Sequence, residues 1–482
     1  MHIDPSVVLP RAQWLAVTTL GLVASFAAVR ALRGLRAGGV LRAGDVLLGL
    51  AVAGAARFVA EVVPTFAREA YFVGVDVDWI DAAVRQSLVL ADRVVAVREV
   101  AALYYLGAGL DPARWAWSVL ALHLLNGALL FALARQLSLG ARAAAVVAAG
   151  FVANPAMVTS LAPSYVCEVR LLTGYLGVCV AYLARARART PRVAAAWLGV
   201  EVCLFFVGCG NKESFLVYPA LLVALEGTAL RRPLPGAARP WSRLWPHLAL
   251  CLLGAVALVP FMAREAGYLV GPAFRFTTPV DQLQQIAEAS LAPTLFGVAR
   301  WSGLAALALV VLRAVRARAE PPAVFGLAFF LVAALPMLSF ERRLFPGYLY
   351  PPWAGLALCL LSVAAGEART AERALVAVWL ASLLVSDPAV RTWPQGEYYP
   401  PALAALRALP PDACLAPTPT WSVPPAVLEQ FVTGDPRLGG GRPGEPRTEP
   451  AAAERQLRVL FRIHCEGREV AVVLPDAAAT PP

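Results

Sequence analysis

Lysine and asparagine are almost missing from this sequence. Its 482 residues contain one lysine and three asparagines, and the remaining positive charge comes almost entirely from arginine. Charged residues make up only 15% of the chain and hydrophobic residues 59%, a balance that excludes an ordinary water-soluble domain. The heavy use of alanine, arginine, glycine and proline is typical of a GC-rich bacterial gene.

Long apolar runs recur along the chain and predict an all-α polytopic membrane protein with about twelve transmembrane helices. Only helices satisfy their own backbone groups along such runs in lipid. The first run could instead be a signal peptide. Its basic cluster follows the apolar run, however, whereas a signal peptide carries its basic residues before that run. The predicted spans are residues 13–32, 45–63, 115–135, 141–158, 166–183, 193–209, 214–230, 244–262, 294–312, 323–338, 353–365 and 374–385.

Arginine clusters between the apolar runs predict which loops face the cytoplasm. Cytoplasmic loops are enriched in arginine and lysine, so the cluster at 185–192 marks an inner loop and the turn at 211–214 an outer one. The net charge of +10 is therefore a topology signal and not a nucleic-acid signal. The predicted organisation is a transmembrane domain at 1–386, with a first long outer loop at 64–114, and an extracytoplasmic tail at 387–482.

The tail is polar and rich in proline, and it carries two strand-like runs at 457–463 and 470–474. A small α/β tail on the outer side is therefore expected. Cys414 and Cys465 lie in this oxidising compartment, where they either pair or stay free. The six other cysteines lie in or beside apolar runs and are expected to be small core residues.

All four of the rare residues lie between His123 and Pro219, in or beside apolar runs. They are Asn126, Asn154, Asn211 and Lys212. A polar group at membrane depth is costly, so its presence there indicates a functional site. The alternative is that the asparagines cap helices or join them by hydrogen bonds, and that His123 is a core histidine with satisfied ring nitrogens.

The predicted outer ends of the helices carry both carboxylates and cations, which suits a substrate with a hydroxyl and a phosphate. A carboxylate can take the proton of an attacking hydroxyl, while arginine and lysine bind phosphate. The residues are Asp76, Asp78, Glu168, Arg170, Lys212, Glu213, Arg264, Arg275, Glu341, Arg342 and Arg343. Each also has a simpler interpretation, as a solvated loop charge, an ion pair, an interfacial anchor or a helix cap. A divalent metal could bind at Asp76 and Asp78, but no histidine cluster supports a metal site.

Several of these motifs, in this order, resemble the GT-C class of membrane glycosyltransferases. They are His123-Leu-Leu-Asn126, Phe151-Val-Ala-Asn154-Pro155, Asn211-Lys212-Glu213 before an apolar run that ends at Pro219, and Glu341-Arg342-Arg343-Leu344 with Tyr348-Leu-Tyr350-Pro351. The sequence looks most like the transmembrane O-mannosyltransferase branch, whose eukaryotic members carry tetratricopeptide repeats, over about residues 64–366. The chain departs from that pattern at Asn154 and Thr159, where the family has histidine and glutamate, and it has no such repeats.

The resemblance implies a GT-C-like bundle that moves a sugar from a polyprenyl-phosphate-linked donor to an acceptor hydroxyl on the extracytoplasmic face. It implies that Asp76 or Asp78, with Asp78 favoured, is the catalytic carboxylate in the first outer loop. The expected phosphate-binding residues are Lys212, Arg342, Arg343 and Arg170. The expected supporting residues are Glu168, Glu213, Glu341, Asn211, Tyr348 and His123.

The implied protein is an integral, multi-pass protein of the bacterial plasma (inner) membrane. Its expected partners are the lipid donor, the bilayer and a protein or glycan acceptor, with no nucleic acid. No cofactor is assigned, and a divalent metal stays an alternative. Two other functions stay open: a transporter or flippase of lipid-linked saccharides, and an inactive GT-C-like scaffold. Mid-membrane charges and a two-fold relation between halves would favour transport, and the sequence shows neither clearly.

Overall fold

The computed structural model describes residues 43–62, 112–153, 166–230, 240–269, 320–336 and 350–362, five positions between 373 and 380, and residues 457–465 and 468–475. Apart from the last two segments, these residues are mostly helical. Three of the helices are long and apolar enough to cross a membrane, at Trp117–Gln136, Cys167–Ala186 and Pro191–Asn211. The described helical part is therefore consistent with the predicted all-α membrane protein, and the total of about twelve spans stays a prediction.

The described helices follow the apolar runs of the sequence. They are α1 (Ala43–Arg57), α2 (Pro112–Gln136), α3 (Ala141–Val152), α4 (Val166–Ala186), α5 (Pro191–Asn211), α6 (Tyr218–Thr228), α7 (Pro240–Leu269), α8 (Pro321–Ala334) and α9 (Tyr350–Leu361). A π-helical turn at Phe58–Val62 extends α1, and a 3-10 turn at Glu213–Val217 precedes α6. Proline stands near the starts of α5, α6 and α8, where its missing N–H group would have no helical partner anyway.

Some predicted spans differ from the helices that the structure describes. The run at 214–230 begins as the 3-10 turn, and the run at 141–158 is helical only as far as Val152, with 154–165 outside the described residues. α7 continues past the predicted start of the outer loop, so Arg264 lies on a helix, and its position on the outer side stays a prediction. Hydropathy identifies only the apolar part of a helix. Alanine, arginine and glutamate have high helix propensity, so the helix can extend beyond its apolar part. The spans at 13–32 and 294–312 lie outside the described residues.

The helix α4 is surrounded by other helices of the bundle. It packs against α2, α5, α6 and α9, while α3 joins α1, α2 and α9. α8 and α9 approach closely at two glycines: a Cβ atom on Gly326 would lie 2.6 Å from the Cys359 nitrogen and 2.7 Å from the Gly355 oxygen. Small residues at such crossings let two backbones touch, which is common between helices in membranes.

The outward faces of α5 and α7 are apolar. Phe206 and Val207 are exposed on α5, and Trp241, Trp245 and Leu252 are exposed on α7. An apolar face of this kind on a helix long enough to span a bilayer suits contact with lipid.

The described cysteines only partly follow the prediction that they are small core residues. The buried ones are Cys167, Cys179 and Cys359, and those of intermediate exposure are Cys209 and Cys251. The prediction is wrong for Cys203, which is exposed on the outward face of α5. An apolar run shows that a helix meets apolar surroundings, but it does not show which of its faces meets other helices.

Two antiparallel strands, β1 (Leu457–Cys465) and β2 (Arg468–Pro475), form a hairpin in the C-terminal tail. Leu457 pairs with Pro475 at the open end and Cys465 with Arg468 near the turn. The two strand-like runs of the sequence lie within these strands. Cys414, and with it the question of pairing to Cys465, lies outside the described residues, and the α/β tail stays a prediction.

Candidate functional site

The rare polar residues meet at the first turn of α4. Asn126 of α2 donates from Nδ2 to the Val169 carbonyl oxygen at 2.8 Å, and Asn211 of α5 donates to the Cys167 carbonyl oxygen at 2.9 Å. Lys212 pairs with the side chain of Glu168, the residue between Cys167 and Val169 in the sequence. Three of the four rare residues thus contact the stretch 167–169, and the fourth, Asn154, lies outside the described residues.

Glu168 and Lys212 form a buried ion pair. Lys212 Nζ donates to Glu168 Oε1, and the two side chains are only 14% and 2% exposed, respectively. Removal of either charge from water is costly, so each partner compensates the other in this site. The backbone of Lys212 is extended, with φ −156° and ψ 133°, at the junction between α5 and the 3-10 turn.

Phe215 holds the turn that carries Lys212. Its ring stacks on Tyr175 of α4 and on Tyr218 of α6, with centroid separations of 5.3 and 5.0 Å and interplanar angles of 13° and 16°. The Tyr175 hydroxyl also donates to the Ser214 carbonyl oxygen at 2.7 Å. Aromatic packing and one hydrogen bond therefore fix the turn against α4.

Two glycines make the space that Phe215 fills. A Cβ atom on Gly174 of α4 would lie 2.7 Å from the Phe215 ring, and one on Gly208 of α5 would lie 2.6 Å from it. Both distances are shorter than a normal contact between carbon atoms. The close approach of the ring to both helices therefore depends on glycine at these positions.

His123 and Asn126, one helical turn apart on α2, both reach Tyr350 of α9. His123 Nδ1 lies 2.8 Å from the Tyr350 hydroxyl, and Nε2 lies 3.2 Å from the Val152 carbonyl oxygen. Since a carbonyl oxygen only accepts, Nε2 is assigned the proton and Nδ1 accepts from Tyr350. The Tyr350 hydroxyl in turn accepts from Asn126 Nδ2 at 3.1 Å.

These contacts agree with the simpler interpretations of His123 and Asn126. Both ring nitrogens of His123 are hydrogen-bonded in the core, and Asn126 Oδ1 accepts from Thr173 Oγ1 at 2.7 Å. The two residues thus form a satisfied network that joins α2, α3, α4 and α9. Sequence reasoning chose Tyr348 as the supporting tyrosine and missed Tyr350, although Pro351 and Pro352 mark the start of a helix there.

A second buried polar cluster lies near the other end of α4, about 25 Å along the helix from Glu168 at 1.5 Å per residue. Arg185 donates from Nε to Glu201 Oε1 at 2.9 Å and from Nη2 to the Arg243 carbonyl oxygen at 2.9 Å. His247 Nε2 lies 2.8 Å from Glu201 Oε2, and both side chains are fully buried. Glu201 is the central residue of α5.

Glu226 and Arg243 form the other half of this cluster. Arg243 donates from Nε and Nη2 to the two carboxylate oxygens of Glu226 at 2.7 and 2.6 Å, and the Tyr182 hydroxyl donates to Glu226 Oε1 at 2.5 Å. The sequence predicts that Arg185 belongs to an inner-loop cluster, but it lies in the last turn of α4, and the guanidinium groups of Arg185 and Arg243 are both largely buried in ion pairs. Glutamates inside predicted spans, at 201 and 226, were the signal that could have revealed them.

The other predicted site residues are placed only in part. Arg170 follows Glu168 on α4, and Glu213 follows Lys212 in the 3-10 turn. Asp76, Asp78, Glu341, Arg342, Arg343 and Tyr348 lie outside the described residues, so their approach to Lys212 stays a prediction. Within the described ranges, no group of three or more His, Cys, Asp or Glu residues could hold a metal ion.

The arrangement defines a helical bundle with a buried ion pair and a satisfied polar network near the start of α4. No protein-family model matches the chain, and no curated protein or solved structure is detectably similar to it. The functional interpretation therefore depends on the chemistry of the site and on the motif resemblance.

Proposed function

We propose that the protein is a multi-pass plasma-membrane glycosyltransferase that moves a sugar from a polyprenyl-phosphate-linked donor to an acceptor hydroxyl on the extracytoplasmic face. The observation that supports it is the meeting of Asn126, Asn211 and Lys212 with Glu168 at the first turn of α4. This turn is the end of α4 away from the arginine-rich loop at 185–192, which the positive-inside rule assigns to the cytoplasm.

In the proposed reaction, the acceptor hydroxyl attacks the anomeric carbon while the bond to the phosphate oxygen breaks. Asp78 or Asp76 takes the hydroxyl proton, and the polyprenyl phosphate leaves with the bonding electrons. Lys212, with Arg170, Arg342 and Arg343, stabilises the negative charge that develops on the phosphate. Glu213 and Glu341 orient these cations, and Glu168 pairs with Lys212 in the free protein. Attack from the face opposite the phosphate inverts the anomeric configuration.

The test is sugar transfer from polyprenyl-phosphate mannose by the purified full-length protein in lipid vesicles. We expect the double variant Asp76→Asn/Asp78→Asn to lose activity by about 100-fold or more, because no carboxylate takes the proton. Lys212→Gln is expected to lose about 100-fold, because the phosphate charge is no longer compensated. Asp45→Asn, which removes a carboxylate paired with Arg142 at 3.1 Å elsewhere, serves as the control for changed net charge.

Full activity in the double variant would contradict the role of the two aspartates. Absence of transfer by the unmodified protein with polyprenyl-phosphate hexoses would contradict the proposed function itself.

A transporter or flippase of lipid-linked saccharides is the second candidate, and one observation favours it. Glu201, which pairs with Arg185 of α4 and lies 2.8 Å from His247 of α7, places a buried carboxylate at the middle of α5. Charged residues inside transmembrane segments often mark transport paths. In the same vesicles, movement of the labelled lipid between leaflets without transfer of its sugar, and its loss in Glu201→Gln, would support transport over glycosyl transfer.

A further inference from the structure

Lys212, the residue proposed to bind the donor phosphate, is already paired with a carboxylate of its own chain. Its Nζ contacts Glu168 Oε1, and the pair is almost closed to solvent. A phosphate that binds this ammonium therefore meets an anion already in place. Like charges that share a buried site strongly disfavour each other.

We propose that Glu168 is an internal substitute for the donor phosphate: it holds Lys212 in the free protein, and the phosphate displaces it when the lipid donor binds. This inference rests on the proposed function. It makes the Glu168 carboxylate a built-in competitor that lowers the affinity of Lys212 for any phosphate-bearing lipid, so the donor must gain binding free energy from its other contacts.

The two partners differ in their freedom to move. Glu168 belongs to the first turn of α4, whose backbone is fixed by bonds from Asn126 to the Val169 carbonyl and from Asn211 to the Cys167 carbonyl. Lys212 lies at an extended junction outside α5, retains 14% exposure and has a flexible four-carbon side chain. The ammonium is therefore the partner that turns toward the substrate, while the carboxylate stays in place.

The alternative is that Glu168 orients Lys212 for the phosphate and keeps contact with it throughout. An ammonium has three donors, so one contact to Glu168 leaves two for other groups. The two roles predict opposite effects of neutralising Glu168. Loss of a competitor strengthens phosphate binding, whereas loss of an orienting partner weakens it.

The experiment titrates farnesyl phosphate, a short polyprenyl monophosphate, into the purified full-length protein in detergent and measures Kd by calorimetry. We expect Glu168→Gln to bind at least about tenfold more tightly than the unmodified protein, because the competing charge is gone. Lys212→Gln is expected to bind about 100-fold more weakly. Farnesol, which lacks the phosphate, is expected to bind all variants equally, and Asp45→Asn controls for net charge.

Binding by Glu168→Gln that equals or falls below that of the unmodified protein would overturn the inference while leaving the proposed function in place. If Glu168→Gln does not fold, Glu168→Asp answers the same question, because its shorter side chain draws the carboxylate away from Lys212. Tighter binding in that variant supports competition, and equal or weaker binding overturns it. Failure of the unmodified protein both to bind farnesyl phosphate and to transfer sugar would refute the proposed function.

Discussion

Asn126 shows how one buried amide joins three helices. From α2 it donates to the Val169 carbonyl of α4 and to the Tyr350 hydroxyl of α9, and it accepts from Thr173. All of its polar atoms have partners in a site closed to solvent. Such satisfied networks stabilise one arrangement of helices, because any other arrangement leaves buried groups without partners.

Replacement of Asn126 by alanine is expected to lower the free energy of unfolding by about 1–2 kcal/mol, the range for interhelical hydrogen bonds in membranes. The measurement is reversible unfolding in mixed detergent micelles. Ser118→Ala is the matched control on the same helix, because the Ser118 hydroxyl bonds only locally, to the Trp115 carbonyl at 2.7 Å. Equal stability of Asn126→Ala and Ser118→Ala would show that the network does not stabilise the bundle.

Residue identity predicted some of these contacts and not others. The scarcity of asparagine and lysine in the sequence is enough to identify Asn126, Asn211 and Lys212 as candidate site residues. Their partners include the carbonyls of Cys167 and Val169, which every residue type offers, so no pattern in the sequence could mark them. Tyr350 is part of the Tyr348-Leu-Tyr350-Pro351 motif, but nothing in the sequence indicates that its hydroxyl contacts His123 and Asn126.

Among the elements, the 3-10 turn at Glu213–Val217 is closely packed against α4, α5 and α6. Its central aromatic residue, Phe215, lies between two tyrosine rings and over two glycines. Hydropathy predicted an apolar helix from 214, and the side chains from Phe215 to Val217 are indeed apolar. The 3-10 start was not predictable, because it depends on how Phe215 fits between α4 and α5.

Replacement of Gly208 by alanine is expected to destabilise the protein by about 1–3 kcal/mol, the usual cost of overpacking, and to displace the turn that carries Lys212. Gly199→Ala is the matched control, because it lies on the same helix with no atom within 4 Å of its added Cβ. That control is expected to be neutral or slightly stabilising, since alanine favours helix. Thermal unfolding in detergent measures both variants.

A second substitution, at Phe215, tests whether the destabilisation by Gly208→Ala comes from contact with the Phe215 ring. Because the clash is with the Phe215 side chain, Gly208→Ala/Phe215→Leu is expected to be less destabilised than the sum of the two single variants. Strict additivity of the two changes would contradict direct contact between these positions.

At the scale of the whole molecule, the buried ion pairs of the described residues fall into two regions along α4. Glu168 and Lys212 mark one end, and the ion pairs of Arg185 and Arg243 lie toward the other. Apolar runs were sufficient to predict the described bundle and most of its helix positions. They could not predict the buried ion pairs of Arg185 and Arg243. An arginine at the end of an apolar run indicates a loop, and the run alone does not show that a neighbouring helix supplies a carboxylate partner.

The arginine-rich end is expected to face the cytoplasm. A green fluorescent protein fused after Arg189 is therefore expected to be fluorescent, and alkaline phosphatase fused there inactive. Fusions after Glu213 are expected to give the reverse, because one span separates the two positions. Active phosphatase after Arg189 would place the Lys212 region inside the cell and would contradict the proposed extracytoplasmic site.

The carbonyls at the start of α4 have a consequence for motion. Cys167 and Val169 each accept a side-chain bond from another helix, in addition to any bond within their own helix, since a carbonyl oxygen has two lone pairs. Unwinding of this single turn would break the Asn126–Val169 and Asn211–Cys167 bonds and the Glu168–Lys212 pair at the same time. These three contacts are therefore expected to be lost together when the turn unwinds, whereas displacement of Lys212 alone leaves the other two in place.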